Sequence, residues 1–576
     1  MAIGGQELLA YACRKFEEKE YEAALEAFIL SYSRGYEQEW VIETIYQCYV
    51  AGNEAEYRNA FAQAAGGSEW SYEACTLDFI PLREGEYYIF DRELMAFRGL
   101  FSMHELEETT PDTEFREMAF SGAAIVMDWN WKEEQSTLIA AKDRKVYAIC
   151  SDLNRASSFF KIPELKDYWK NVRLFADVSQ FQEYFHQHTA EYLPRILCGK
   201  ESDLTVVATI LKEEHEYRLT PEGRNTDHIL LTIAIPSYNR GNLLLKRLEN
   251  LLPMPYDAEI EIAISKNGME LHQEEYEQAS RIPDARIHYV PYTQTPALPP
   301  ALNWHRSVEI SHGKYVVFVS DEDDIIIDAL EHYLKLLIQN PQLNQIRAKT
   351  SFQYASISKA HGKKGTQAFD LMYLTQNYLS GLIVKREDFL AANLKELNQY
   401  KDNAFYSAYP HAWWCAILST SGDAMQDDVV LVTEGDSVLK EEVVAYQKLG
   451  IPDVENAFVQ NSSLPHYSTY EARLEQFQGM IEFLHIFTCE RKELVELGLT
   501  LSIQKTAYLL ELARSFQYDC QNYGNIINQF QWICMNAIDE FQFTELQKFN
   551  LLQTVLFYSL HALQKYQGLE EESAGE

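Results

Sequence analysis

Tyr315-Val316-Val317-Phe318-Val319-Ser320-Asp321-Glu322-Asp323-Asp324 is the stretch that decides the fold of this chain. Five β-branched or aromatic residues in succession predict a strand buried on both faces, as in a sheet covered by helices. Strands of that kind present ligands at their carboxyl ends. Here the carboxyl end carries four acidic side chains. Buried charge is costly unless it is paired. Two aspartates one residue apart can place oxygen ligands on a divalent cation, which in turn can hold a phosphate.

Upstream, residues 230–236 form a second apolar run, and Pro236 is expected to end its pairing because proline has no N–H to donate. Ser237-Tyr238-Asn239-Arg240-Gly241-Asn242 then reads as a polar turn, followed by an amphipathic helix over 243–252. Strand, polar turn and helix N-terminus together suit a nucleotide or phosphate. A third strand over 259–265 opens into Lys266-Asn267-Gly268, Asn303 and Trp304 lie on a helix, and Gly313-Lys314 leads into the acidic strand.

This ordered set resembles the family 2 glycosyltransferases, whose GT-A domain opens with a strand and Thr/Ser-Tyr-Asn-Arg and reaches a D-x-D motif after Gly-x-Tyr and an apolar strand. The resemblance implies an α/β, Rossmann-like, nucleotide-diphospho-sugar transferase domain over residues 226–435. By the same resemblance Pro236, Ser237, Tyr238, Asn239 and Arg240 line the nucleotide pocket with Lys266, Asn267 and Asn303. Asp321 lies near the ribose, and Asp323 joins it on a Mn2+ or Mg2+ bound to the donor diphosphate. Gly381, Arg386, Trp413 and Trp414 fall on the acceptor side. Asp402 is the favoured base for the acceptor hydroxyl, with His411, Glu387 and Asp388 as other candidates. The family's second strand usually ends in Asp-Asn, whereas this chain has Lys266-Asn267. A UDP-sugar is the expected donor, but a lysine cannot accept a hydrogen bond from a base edge. Residues 293–300 are proline-rich where relatives carry an Asn-x-Gly turn.

The implied activity is metal-dependent, inverting transfer of a sugar from a nucleotide-diphosphate donor to a hydroxyl of a polysaccharide, lipid-linked or protein acceptor. A degenerate transferase-like scaffold that binds a partner through its helical ends is the alternative of a different class. A nucleotidyltransferase ranks below both, because its first turn would be glycine-rich and basic.

The flanks read differently. Residues 1–70 are helical, and Ala12, Ala24 and Phe28 resemble one tetratricopeptide repeat, although a helical hairpin capping the next domain fits equally. Strand-like runs at 87–90, 123–127, 137–141, 146–150 and 172–175 predict an accessory α/β domain over 71–225. Residues 436–576 read as a helical C-terminal domain with its longest helices at 467–487 and 541–566 and a solvated tail from Gly568. A net charge of −36 from 50 basic and 86 acidic residues argues against a nucleic-acid groove and against docking on anionic membranes. Nine scattered cysteines, the lack of a basic leader and the lack of a membrane-spanning apolar run predict a cytoplasmic chain. The N-terminal helices suggest a protein partner.

Overall fold

A computed structural model of the chain describes residues 4–66, 70–108, 122–127, 137, 141–142, 144–351, 357–375, 378–435, 469–487, 491–516 and 522–573. It divides into two compact units, Met1–Tyr217 and Arg218–Glu576.

In the first unit, helices Gly5–Glu17 and Tyr21–Ser33 pair, followed by Gln38–Ile45 and Glu54–Ala65. Their apolar faces, including Ala12, Ala24, Phe28 and Tyr32, belong to the same core as an antiparallel meander. That meander comprises β1 (Leu77–Arg83), β2 (Glu86–Asp91) and β3 (Ala96–Ser102). Tyr32 meets Phe90 and Phe97 edge to face at 5.7 and 5.5 Å. The helices therefore cap a β-layer. β1 and β3 escape the periodicity reading because Pro81 and Gly99 interrupt their apolar patterns. The connection at Glu84-Gly85, with Gly85 at φ +72°, is the tight turn that fixes the first hairpin.

A parallel four-stranded sheet of order β6-β5-β4-β7 follows, from β4 (Ala123–Met127), β5 (Val146–Cys150), β6 (Val172–Phe175) and β7 (Ile196–Cys198). Alternate residues of β5 go to opposite faces: Val146, Ala148 and Cys150 pack toward the meander's core, Tyr147 and Ile149 against Phe181 and Phe185. Of the strand expected at 137–141, Thr137 and Ala141 are helical, and residues 138–140 lie outside the described residues. None of the described cysteines forms a disulfide.

The second unit is built on a mixed, parallel-rich sheet of β8 (Leu231–Tyr238), β9 (Ile260–Asn267), β10 (Ile287–Pro291), β11 (Tyr315–Phe318), β12 (Asp324–Ile325), β13 (Leu343–Thr350), β14 (Ala360–Gly362), β15 (Leu382–Lys385) and β16 (Asp423–Thr433). Its order is β10-β9-β8-β11-β15-β13-β16-β12, with β14 on β16. β8 to β11 are mutually parallel, and β15 runs against its neighbours β11 and β13. Every side chain from Tyr315 to Val319 is at most 2% exposed. Gly313, just ahead of β11, donates its N–H to Thr232 Oγ1 at 2.9 Å, and a Cβ there would lie 2.5 Å from that oxygen. Only glycine allows this approach.

Pro236 does not end β8, which pairs with β9 through Tyr238. Backbone groups of alternate residues point the same way, so the missing Pro236 N–H faces the β11 side, as the Ala234 carbonyl does. Pairing with β11 stops at Ala234, and no donor is needed beyond it.

Helices Tyr470–Phe487, Lys492–Phe516, Tyr523–Glu540 and Glu545–Ser573 complete the unit. Their core is continuous with Phe369, Tyr406 and Trp413. The last helix extends through Gly568 to Ser573, where a tail was expected. Residues 467 and 468 of the predicted 467–487 helix lie outside the described residues. Among the described residues no helix is long and apolar enough to cross a membrane.

Candidate functional site

After β8 the chain moves outward through β9 and β10, and after β11 it fills the other half of the sheet. The direction of growth reverses between β8 and β11. Open α/β sheets bind ligands in the crevice outside the carboxyl ends of the strands at such a switch point. Ser237 at the end of β8 and Asp321 beyond β11 meet across it, the Ser237 hydroxyl donating to Asp321 Oδ2 at 2.7 Å.

Asp321 also accepts from Arg240 Nη1 at 3.3 Å and is 3% exposed. Burial raises its carboxyl above the ordinary range, against the pull of Arg240 and Ser237. Asp323 accepts from the Ser380 hydroxyl at 2.5 Å. Burial, with the charges of Asp321 and Glu434 beside it, pushes Asp323 up to about 6. The remaining acids of the cluster are matched: Glu322 pairs with Arg240, and Asp324 with Arg247 and, at 2.8 Å, Asn250. Asp324 further belongs to β12 and pairs with Thr433 of β16.

A buried and a partly buried carboxylate, both raised by desolvation and Asp323 also by the charge of Asp321, form a site that a cation would stabilise. They do not make a closed cage. Mg2+ and Mn2+ need none, since such ions commonly take one or two carboxylates and complete their shell with water and substrate phosphate. The residues present fit such an ion.

The turn after β8 is held by its side chains. Asn239 adopts φ +54°, donates to Glu270 Oε2 at 2.7 Å and accepts the Glu270 and Leu271 N–H groups at 3.2 and 3.3 Å. A Cβ on Gly268, itself at φ +79°, would lie 2.6 Å from Asn239 Oδ1. Tyr276, on helix Gln273–Ser280, shares a 2.7 Å hydrogen bond with the Ser237 hydroxyl and accepts the Arg240 N–H at 2.9 Å. Lys266 donates to Gln273 at 3.1 Å and lies 5.2 Å over the Tyr276 ring, and burial lowers its pKa. Asn267 exchanges hydrogen bonds with the backbone of Leu298, at 2.9 and 3.1 Å. Asn303 accepts from Ser265 at 2.7 Å. The proline-rich segment and the helix Pro300–Glu309 are thereby tied to β9.

The structure thus gathers Pro236 to Arg240, Lys266, Asn267, Asn303, Asp321 and Asp323 at the carboxyl ends of β8, β9 and β11, and Gly381 joins them by donating its N–H to the Phe318 carbonyl at 2.9 Å. Arg386 is not gathered there. β15 is antiparallel to β11, so Lys385 lies opposite Tyr315, at the far end from the acids. Arg386 caps the helix Pro300–Glu309 through the Val308 and Glu309 carbonyls at 3.3 and 3.2 Å. Glu387 pairs with Lys385 at 2.6 Å, beside Asp388 at 3.9 Å.

Trp413 and Trp414, expected on the acceptor side, are 0% and 1% exposed. Trp413 stacks on Phe483 at 4.5 Å and Trp414 lies 6.0 Å from Phe318. Neither ring can meet a sugar, because successive residues of helix Pro410–Leu418 are covered on two sides, by the C-terminal helices and by the sheet. His411 is buried in the first turn of that helix. Asp402 is exposed, and its neighbour Asn403 caps helix Ala404–Ala408. Tyr276, Ser380 and Glu434 are the site residues that sequence reasoning did not single out. Ser380 directly precedes Gly381, expected on the acceptor side, but nothing in a single serine marks it as a partner of Asp323.

No family model and no curated protein matches the chain. Among solved structures, S. aureus TarS 1-349 in complex with UDP-GlcNAc is similar at 10% identity with a TM-score of 0.36, over 59% of this chain and 92% of that one. The mannosyltransferase PcManGT from Pyrobaculum calidifontis, in complex with GDP-Man and Mn2+, is similar at 12% identity with a TM-score of 0.30, over 68% of this chain and 98% of that one. Likeness this loose carries no argument about the site, whose reading rests on its own residues.

Proposed function

We propose that residues 226–435 bind a nucleotide-diphosphate sugar at the β8/β11 switch point and transfer the sugar to an acceptor hydroxyl. The observation that carries this reading is the Ser237–Asp321 contact across the switch point, with Asp323 raised by burial beside it. The ordered Asn239 turn and the Lys266-Asn267 strand end would hold the nucleoside. Asp321 and Asp323 would hold Mn2+ or Mg2+. When bound, the ion would neutralise charge that develops on the leaving diphosphate.

This chain's own residues do the rest. Ser237 and Tyr276 fix the orientation of the Asp321 carboxylate, and Ser380 fixes that of Asp323. Lys266, a cation with no carboxylate bonded to it in the contacts described, would face the donor with N–H groups only. That favours a base edge or a phosphate oxygen that accepts. Asp402 is the group assigned to take the acceptor's proton. The acceptor itself is a glycan, lipid-linked or protein hydroxyl.

Thermal melting with a panel of nucleoside diphosphates, with and without Mn2+, tests the reading. Stabilisation is expected only when nucleotide and metal are both present, and it should vanish in Asp323→Ala. Absence of any shift with every nucleotide would leave the scaffold reading in its place. Hydrolysis of nucleotide sugars with Mn2+ would then identify base and sugar together.

A further inference from the structure

We infer a second metal site, of the zinc class, at the opposite end of the same sheet, formed by Glu261, His288 and His312. These three residues come from three separate segments: Glu261 from the start of β9, His288 from the start of β10, and His312 from the turn before β11. One potential ligand atom from each lies within 4.8 Å of the other two. Glu261 Oε1 is 2.6 Å from His312 Nδ1 and 3.9 Å from His288 Nδ1.

The local bonding prepares the set. His288 Nδ1 lies 2.9 Å from the Ile310 carbonyl, which can only accept, so that nitrogen carries the proton and Nε2 keeps its lone pair. A backbone carbonyl on the distal ring nitrogen is the usual support of a metal-bound histidine. Glu261 is oriented by its other oxygen, which accepts from Thr232 Oγ1 and from the His312 N–H, each at 2.8 Å. Its side chain is only 3% exposed, whereas His288 and His312 are 38% and 48% exposed. A buried carboxylate under two accessible imidazoles is reachable by an ion from solvent and leaves a fourth position for water. Arg224 feels the Glu261 charge, but its Nη1 and Nη2 donate to the Asp257 and Ile260 carbonyls at 2.6 and 2.8 Å. Two imidazoles and one carboxylate select zinc-class ions over Mg2+.

Thr232 and Ser237 are five residues apart on β8, which separates this cluster from the switch-point site by about 16 Å. The ion would clamp the starts of β9 and β10 to the turn entering β11. The inference does not depend on the transferase reading.

The test is equilibrium dialysis and melting of the full chain with Zn2+, in an Asp321→Ala/Asp323→Ala background that removes the other acidic site. One Zn2+ per chain and a raised melting temperature are expected, with Mg2+ giving neither. His288→Ala and His312→Ala, at exposed positions, should weaken binding by more than the ~10- to 100-fold lost with a supporting partner. No stoichiometric Zn2+ in that background, or binding unchanged in His312→Ala, would overturn the site.

Discussion

Both units contain parallel strands with aspartates just beyond them, yet the aspartates do different things. In the first unit Asp152 follows β5 and Asp177 follows β6, and each accepts backbone N–H groups of the helix it starts. Asp152 takes the Arg155 N–H at 3.0 Å, and Asp177 takes those of Ser179 and Gln180 at 2.8 and 2.9 Å. These are helix caps, satisfied by their own chain. In the second unit Asp321 and Asp323 accept from Ser237, Arg240 and Ser380, all distant in sequence, and burial raises both. A carboxylate at a strand end is therefore no signature by itself. What donates to it, and how deeply it is buried, separates a cap from a ligand.

The largest expected effect breaks the second half of that contrast. Asp323→Ala should abolish Mn2+-dependent stabilisation by nucleoside diphosphate and lower sugar transfer on the order of 10²- to 10³-fold. Asp323→Asn should also lose the response to Mn2+. It should melt higher than the parent without metal at pH 7, because it removes a charge that the fold disfavours. A lower metal-free melting temperature would show that Asp323 is a satisfied structural carboxylate.

Ser380→Ala tests the support of Asp323. Loss of one hydrogen bond to a charged group, worth ~1.5 to 3 kcal/mol, should weaken Mn2+ binding by about tenfold or more while leaving the fold intact. Isothermal titration with Mn2+ and nucleotide reads this directly.

Asp177→Ala and Asp152→Ala address the first half. Each should cost about 1 kcal/mol in urea unfolding, the worth of a cap, with nucleotide-dependent stabilisation unchanged. A cap variant that lost nucleotide binding would erase the distinction.

A last test asks whether burial governs charge away from strand ends. Lys505, on helix Lys492–Phe516, is lowered by burial to about 8 from 10.5. Below pH 8 it is protonated in both states and the burial penalty is complete. As pH rises from about 8 to 10.5 the folded form loses its proton first, so stability should rise over that window. Urea unfolding at pH 8, 9 and 10 should show this slope, and Lys505→Met should flatten it.

Much of the second unit was legible because its signals are local. The run 315–319 is apolar without interruption, and a strand of that kind must be covered on both faces. The set of strand, Ser-Tyr-Asn-Arg turn and helix was equally readable, down to the leucines of the helix that follows. Pro236 misled because its missing N–H matters only on the side where β11 has already ended. The two tryptophans misled because aromatic rings adjacent in sequence say nothing about which faces of their helix are covered. The histidine and glutamate cluster carried no signal at all, its members lying on three segments with 50 residues of chain between the first and the last.

The sequence by itself determined where β8, β9 and β11 run, that carboxylates follow β11, and that a polar turn follows β8, since each depends on side-chain periodicity and backbone chemistry within a few residues. Only the tertiary structure decided that Ser237 meets Asp321, that Ser380 meets Asp323, that Arg386 lies at the far end of β15, and that Glu261, His288 and His312 converge. Those contacts join residues up to 84 positions apart. They follow from the order and direction of strands in the sheet, which hydrogen bonding between segments sets and no local pattern encodes.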